Sequence, residues 1–170
     1  MKTAVITGAS KGIGECIARA FLANGFNVIA NYRTSEESAL KLKKELGSRC
    51  EIFRADVSDY EQVCSMFDFA EKKFGKVTAL VNNAGMGISG AAEYIPAEKS
   101  KKLYGLNLIA VSECSRLALP YLKQTKGKIV NVSSIAAIIP IPFQTAYSAS
   151  KAAVNSFTEA LRLEVEPFGV

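Results

Sequence analysis

Tyr147 and Lys151 stand four residues apart in the segment YSASK, in a chain that contains no histidine. Residues four apart on an α-helix share a face, so the lysine ammonium would lie beneath the tyrosine hydroxyl. A free phenol has a pKa of roughly 10, and nearby cations in a water-poor cleft favour its ionised form. The pair therefore indicates a side chain that gives and takes a proton. The same spacing is common in ordinary pairs on helix surfaces, so other motifs must decide.

Several other kinds of catalytic site are excluded by residue types that are absent or scattered. Without histidine, the chain can build neither a Ser-His-Asp or Cys-His site nor a His-ligated metal site. Its four cysteines are far apart and form no CxxC pair, which favours reduced, buried thiols over a zinc or redox site. We therefore expect no metal.

Length and composition predict one globular domain, because the 170 residues are 49% hydrophobic and 22% charged. The N-terminus does not resemble a signal peptide, and the longest apolar run is broken by two prolines. We predict a cytoplasmic protein with no membrane partner. The net charge is +5, but the lysines fall in separate groups near predicted helix ends, so we expect no nucleic-acid partner.

Short β-branched segments alternate with longer segments that have helical apolar spacing, a pattern typical of βαβ units and a parallel sheet. The strand-like segments lie at residues 4–7, 27–30, 51–53, 79–81 and 128–132. The predicted fold is α/β, a doubly wound Rossmann-like parallel sheet with helices on both faces.

A glycine-rich turn, TGASKGIG at residues 7–14, joins the first strand to the first helix. Glycines there allow backbone N–H groups and the helix N-terminus to approach a pyrophosphate closely. The spacing is GxxxGxG instead of GxGxxG, so the position in the first βα unit carries the prediction. The residues expected to contact a dinucleotide are Gly8, Ser10, Lys11, Gly12, Ile13 and Gly14.

The residue that follows the second strand predicts which dinucleotide is bound. An NAD site would place an Asp or Glu there, for the ribose 2′-hydroxyl. This chain has Asn31, Tyr32 and Arg33, and a guanidinium assisted by Lys11 suits a 2′-phosphate. We therefore predict NADP(H), with NAD(H) less favoured. The alternative is a surface arginine that merely follows a strand.

Polar or small residues also follow the later strands. They are Asp56 and Val57 after the third, Asn83, Ala84 and Gly85 after the fourth, and Ser133 and Ser134 after the fifth. Ligands of open α/β sheets bind at the carboxyl ends of the strands, so these turns should lie on the side of the glycine-rich turn.

In order and spacing, these motifs together resemble the short-chain dehydrogenases/reductases, nearly from end to end. The matching segments are TGASKGIG at 7–14, DV at 56–57, NNAG at 82–85, Asn107, VSS at 132–134 and YSASK at 147–151. The resemblance implies that Ser134 polarises a substrate oxygen and Tyr147 transfers the proton. It implies that Lys151 favours the ionised tyrosine and holds the nicotinamide ribose, and that Asn107 anchors a water leading to solvent. The family's spacing to the tyrosine selects Ser134 over Ser133.

The function that this resemblance implies is an NADP(H)-dependent oxidoreductase that interconverts a carbonyl compound and its alcohol by hydride transfer. The alternative is a dinucleotide-binding module without catalysis, which senses redox state or binds partners. Residues 86–95 include only one charged residue, Glu93, which favours a small, fairly apolar substrate.

Two further expectations also come from the resemblance. Family members continue past the tyrosine-bearing helix, so we interpret the chain as one that lacks the family's C-terminal strands and substrate loop. They commonly associate through the helices predicted here at about residues 101–123 and 146–166, so we expect a homodimer or homotetramer.

Overall fold

Five parallel strands form one sheet in the computed structural model, which describes residues 2–170. The strands are β1 (Lys2–Ile6), β2 (Phe26–Tyr32), β3 (Cys50–Arg54), β4 (Val77–Asn82) and β5 (Lys128–Asn131). Their order is β3-β2-β1-β4-β5, so the chain reverses its direction of winding between β1 and β4. Ligands bind at such a switch point in doubly wound sheets, and the predicted fold class is confirmed.

Six α-helices accompany the sheet in the described residues 2–170. They are α1 (Gly12–Ala23), α2 (Glu36–Leu46), α3 (Tyr60–Phe74), α4 (Ala97–Tyr104), α5 (Ala110–Thr125) and α6 (Thr145–Val165). Short 3₁₀ turns lie at Gly47–Arg49, Ala92–Tyr94, Ile135–Ala137 and Glu166–Phe168. Within residues 2–170, no helix has the length and apolarity needed to cross a bilayer.

Both faces of the sheet are buried, which explains why its inner strands read as continuous apolar runs. Val5, Ile29 and Leu80 point to one face and pack with residues of α3 and α5. Ala4, Val28 and Val81 point to the other face and pack with residues of α1 and α2. The sheet therefore lies between two layers of helices, which bury both of its faces.

The helix predicted at about residues 101–123 is not a single α-helix. α4 ends at Tyr104, Gly105–Ile109 is π-helical, and α5 begins at Ala110. A π-helical turn is rare and occurs often at functional sites. Here it contains Asn107, whose side chain is fully buried.

Candidate active site

The turns that follow β1 and β4 are bound together by side-chain hydrogen bonds. Thr7 Oγ1 accepts hydrogen bonds from the backbone N–H groups of Asn83 and Ala84, both at 3.0 Å. In return, Asn83 Nδ2 donates to the carbonyl oxygens of Thr7 and Gly8, both at 3.0 Å. The glycine-rich turn and the NNAG turn therefore form one rigid unit at the switch point.

Close packing explains the glycines at positions 8 and 14. A Cβ atom on Gly14 would overlap the Gly8 carbonyl oxygen and lie 2.5 Å from Asn83 Nδ2. A Cβ atom on Gly8 would lie 3.0 Å from Ala84 Cα, at a backbone φ of +63°. A larger residue at Gly14 would displace the backbone of the glycine-rich turn and the Asn83 side chain, and one at Gly8 would press against Ala84 of the NNAG turn.

The N-terminus of α1 is suited to bind an anion. The helix begins at Gly12, and within residues 2–170 the side chain of Lys11 before it forms no capping hydrogen bond. The first N–H groups of a helix have no partner within the helix and carry partial positive charge. Gly12 has open space on its Cβ side, so a phosphate can approach. These features fit the pyrophosphate of a dinucleotide.

A first cleft, of about 270 Å³, opens beside this helix N-terminus. Of the predicted residues, it is lined by Gly8, Ser10, Lys11, Arg33, Asp56, Val57, Asn83, Ala84 and Gly85. Arg33 Nη1 lies 3.2 Å from Asp56 Oδ2. Burial opposes ionisation of Asp56, but the Ser58 backbone N–H and the Arg33 guanidinium outweigh it and lower the pKa of the carboxyl.

Asn31 also lines this cleft, although sequence reasoning gave it no role. Its Oδ1 accepts a hydrogen bond from the Gly8 backbone N–H at 3.1 Å, and its Nδ2 donates to the Ala55 carbonyl at 3.0 Å. The side chain therefore fastens the glycine-rich turn to the ends of β2 and β3. Its only signal in the sequence is a polar residue near the carboxyl end of a largely apolar strand, which also contains Asn27.

A second cleft, of about 400 Å³, adjoins the first, and Asn83 and Gly85 line both. Tyr147 and Lys151 line the second cleft together with Ile13, as the motif spacing predicts. Met86, Ser133 and Gln144 also line it and were not predicted as site residues. A dinucleotide on α1 could therefore extend from the first cleft into the second and reach Tyr147.

Lys151 is only 6% exposed and lies at the base of the second cleft. Its Nζ donates a hydrogen bond to the Val132 carbonyl oxygen at 2.7 Å. Burial lowers the pKa of the Lys151 ammonium from its ordinary value. A Cβ atom on Gly85 would lie 3.8 Å from Nζ, so the NNAG turn covers the lysine closely.

The two serines after β5 differ in how their hydroxyl groups are used. Ser133 lines the second cleft, but its Oγ donates to the Lys151 carbonyl oxygen at 3.3 Å. Ser134 does not line that cleft, and its Oγ accepts from the Ala136 backbone N–H at 3.2 Å. Among the hydrogen bonds of residues 2–170, the Ser134 hydroxyl proton has no acceptor and is free for a ligand.

Asn107 fastens the π-helical segment to the far side of the second cleft. Its Oδ1 accepts from the Met86 backbone N–H, and its Nδ2 donates to the Met86 carbonyl, both at 2.9 Å. The second Nδ2 proton goes to Ser150 Oγ at 3.1 Å, and Ser150 Oγ donates to the Tyr147 carbonyl at 2.7 Å. The carboxamide thus links the cleft wall to α6. Because both Nδ2 protons are used, a water can bind Asn107 only by donating a hydrogen bond to one of the residue's oxygen atoms.

Comparisons with known proteins identify the family of this chain. A sequence profile of the family described as short chain dehydrogenase matches residues 2–170. The chain belongs to the short-chain dehydrogenase family. It is 40% identical to a protein named 3beta-hydroxysteroid dehydrogenase 1 from Eggerthella lenta, over 99% of this chain and 67% of that protein. It is 35% identical to a 3-ketodihydrosphingosine reductase from Bacteroides thetaiotaomicron, over 98% of this chain and 59% of that protein.

A solved structure supports the fold of this member of the short-chain dehydrogenase family. The 3-ketoacyl-(acyl-carrier-protein) reductase from Brucella melitensis, complexed with NADH, has a TM-score of 0.95 and 34% identity, over 99% of this chain and 72% of that one. The chain spans between about three fifths and two thirds of the length of the curated relatives named above.

Most of the predicted site residues of this family member line the two clefts. The exceptions are Gly12, Gly14, Asn107 and Ser134, which line neither. Gly14 and Asn107 lie directly behind the cleft walls, where their contacts fix the positions of Gly8 and Met86. Ser134 lies beside Ser133 at the cleft edge. The prediction of roles for all of these residues remains to be tested.

Proposed function

We propose that the protein is an oxidoreductase that interconverts a carbonyl compound and its alcohol by hydride transfer with NADP(H). One observation carries the proposal. Tyr147 and the buried Lys151 line a cleft that adjoins the anion-binding end of α1 through Asn83 and Gly85. This arrangement suits a nicotinamide that lies beside a proton donor. Residues 86–95, with Glu93 as their single charge, favour a fairly apolar carbonyl substrate.

In carbonyl reduction, the chain's own residues handle the proton. A bound reduced nicotinamide supplies the hydride, which becomes attached to the carbonyl carbon. Tyr147 donates its hydroxyl proton to the carbonyl oxygen, which becomes the alcohol, and the tyrosine is left as a phenolate. The Lys151 ammonium, on the same face of α6, stabilises that phenolate.

Two further side chains have supporting roles in this proposal. Ser134 can donate its free hydroxyl proton to the carbonyl oxygen and polarise it before the hydride arrives. Asn107 would hold a water through an oxygen, since both of its amide protons are already used. Such a water would return a proton from solvent to the tyrosine.

A turnover assay tests the proposal directly. The protein is incubated with NADPH and a panel of ketones and aldehydes of increasing apolar size, and absorbance of the reduced nicotinamide is followed. We expect oxidation that depends on the carbonyl compound. Binding of NADPH without oxidation across the whole panel would instead favour the non-catalytic dinucleotide-binding module.

We also propose a preference for NADP(H), supported by the position of Arg33. Its guanidinium lines the first cleft with Lys11, close to the end of β2. The ion pair between Arg33 and Asp56 is partly exposed, with side chains 48% and 34% accessible, so it is worth only about 0–1 kcal/mol. A 2′-phosphate, which can form charge-assisted hydrogen bonds with the guanidinium, would compete well with Asp56.

Arg33→Ala should reduce the preference for NADPH over NADH about ten- to a hundredfold. The physical reason is the loss of a charge-assisted contact of roughly 1.5–3 kcal/mol that NADH does not make. Dissociation constants for both nucleotides, measured by fluorescence titration, give the ratio. Arg49→Ala is the control. Arg49 is exposed and directly precedes β3, so it lies at the edge of the sheet opposite to the strand ends that form the first cleft. An unchanged ratio in Arg33→Ala would show that the assignment is wrong.

We further propose a homodimer, or a tetramer built from it, that associates through α5 and α6. Several apolar residues of these helices, such as Ala110, Val154 and Val165, are buried within the monomer and need no partner. Ile109, directly before α5, is 57% exposed, and Leu163 on α6 is 61% exposed. These two residues support the proposal.

Sedimentation velocity at micromolar concentration should therefore show a dimer or tetramer. Ile109→Lys with Leu163→Lys should weaken association at least about tenfold, because each places a charge where apolar contact is expected, and tenfold corresponds to about 1.4 kcal/mol. Leu40→Lys, on α2 and 53% exposed, is the matched control and should leave association unchanged. A wild-type monomer at these concentrations would contradict the proposal.

A further inference from the structure

A chain of polar side chains joins four elements behind the second cleft. Asn82 at the end of β4 donates from Nδ2 to Ser115 Oγ of α5 at 3.0 Å and to Asn131 Oδ1 of β5 at 2.8 Å. Asn131 Nδ2 donates in turn to Thr158 Oγ1 of α6 at 2.9 Å. Asn82 and Ser115 are at most 3% exposed, so the chain is shielded from water at one end.

The direction of these hydrogen bonds is fixed by the two hydroxyl groups. Each hydroxyl has one proton, and each donates it to its own helix one turn earlier. Thr158 Oγ1 donates to the Val154 carbonyl at 2.6 Å, and Ser115 Oγ donates to the Val111 carbonyl at 2.7 Å. Both hydroxyls can therefore only accept from asparagine Nδ2 groups. The carboxamides of Asn82 and Asn131 thus have one favoured orientation each.

This series of hydrogen bonds lies next to the carbonyl oxygen that accepts a hydrogen bond from Lys151. Asn131 directly precedes Val132, whose carbonyl oxygen accepts from Lys151 Nζ at 2.7 Å. The Val132 backbone N–H donates to the Asn82 carbonyl at 2.9 Å, so the same asparagine fixes both residues. Thr158 is seven residues after Lys151, which places both on one face of α6, two turns apart. α6 is therefore held to the end of β5 at two neighbouring points.

β5 gives this contact its importance. It has only four residues, two of them exposed, and it pairs with β4. A strand this short has few backbone hydrogen bonds, so its side chains contribute more to its position. Of its side chains, Asn131 is the one that joins both β4 and α6.

We propose that Asn131 and Thr158 are positioning residues, which hold α6 against the end of β5 so that Lys151 and Tyr147 keep their places in the second cleft. The proposal rests on the proposed function for its effect on turnover. Its structural part, the fastening of α6 to β5, does not depend on that function.

Thr158→Val tests the proposal, since valine keeps the shape of threonine and removes the hydroxyl. The partly buried Asn131 amide then loses its acceptor in α6, and β5 and α6 can separate at that point. We expect kcat with NADPH and a carbonyl substrate to fall at least about tenfold, with a smaller change in NADPH affinity. Thr158→Ser retains the hydroxyl and should restore most of the turnover. An inactive Thr158→Ser with normal folding would overturn the proposal.

Thr125→Val is the matched control. Thr125 Oγ1 also lies at a helix–strand contact, 3.0 Å from the Val77 carbonyl, but this contact is at the other end of β4. The two valine variants should lose similar thermal stability, while only Thr158→Val should lose turnover. Equal loss of turnover in both would show that the hydroxyl acts on general stability alone.

Amide hydrogen exchange, followed by mass spectrometry on the nucleotide-free protein, tests the structural part without any turnover. Thr158→Val should raise exchange about tenfold in peptides that cover residues 129–133 and 145–153, and Thr125→Val should not. Unchanged exchange in these peptides would overturn the proposal. If the wild-type protein fails to oxidise NADPH with every carbonyl compound of the panel, the proposed function fails. The exchange result still decides whether Asn131 and Thr158 position α6.

Discussion

Tyr147→Phe is expected to abolish carbonyl reduction and to leave NADPH binding nearly unchanged. The phenol is the proposed proton donor, and positioned acid–base groups typically contribute about 10²–10⁴ to a rate. With no histidine in the chain, no imidazole can replace it. The loss should appear in kcat, measured from the absorbance of reduced nicotinamide, while fluorescence titration should give a similar dissociation constant for NADPH.

Tyr60→Phe is the control for this substitution. Tyr60 begins α3, lines neither cleft and is 47% exposed, so the loss of its hydroxyl should change neither binding nor turnover. If Tyr147→Phe retained wild-type turnover, the proposed proton transfer would be wrong, even with the fold and the cofactor site intact. If both tyrosine variants lost turnover together, an effect on folding would be the explanation, and thermal unfolding would reveal it.

Gly14→Ala should have the second large effect, on both stability and nucleotide binding. The added methyl group would overlap the Gly8 carbonyl oxygen and lie 2.9 Å from Ala9 Cα. Backbone atoms cannot move aside as a flexible side chain can, so the glycine-rich turn has to shift. Overpacking of this kind costs about 1–3 kcal/mol or more. Chemical denaturation should show the loss of stability, and NADPH affinity should fall at least about tenfold.

Gly12→Asn is the matched control in the same turn. Gly12 has a φ of +59°, which asparagine tolerates better than most residues, and its Cβ position has no atom within 4 Å. Its stability should therefore change by less than about 1 kcal/mol. A Gly14→Ala protein as stable as Gly12→Asn would show that the turn is more flexible than the close contacts indicate.

The sequence predicted the fold, and it grouped most of the residues that line the two clefts, because the relevant signals are local. Alternation of short β-branched and longer helical segments follows from burial on both sheet faces, and it led to the observed parallel sheet. Tyr147 and Lys151 could be paired because helix geometry alone relates positions four apart. Turns after strands could be grouped, since parallel strands end at the same edge.

The remaining features depend on contacts between residues distant in the chain. Asn31 binds Gly8 N–H across 23 positions, and Asn82 binds Asn131 across 49. No periodicity relates such pairs, so the roles of these asparagines were not predictable. The difference between Ser133 and Ser134 depends on which backbone group each hydroxyl meets. The apolar pattern of residues 101–123 predicted a continuous α-helix, because apolar spacing does not distinguish the π-helical turn at Gly105–Ile109 from an α-helix.

That π-helical turn makes Asn107 sensitive to chain length as well as to substitution. A π-helical segment accommodates one more residue than an α-helix over the same rise, so losing one residue between Gly105 and Ile109 could restore a regular helix. The residues on one side of the deletion would then be rotated by about 100° about the helix axis relative to those on the other side. The Asn107 carboxamide would turn away from Met86. Homologues of equal fold but one residue shorter here would have to join this segment to the second cleft by another contact. Alignments that place a gap in this segment therefore carry mechanistic information.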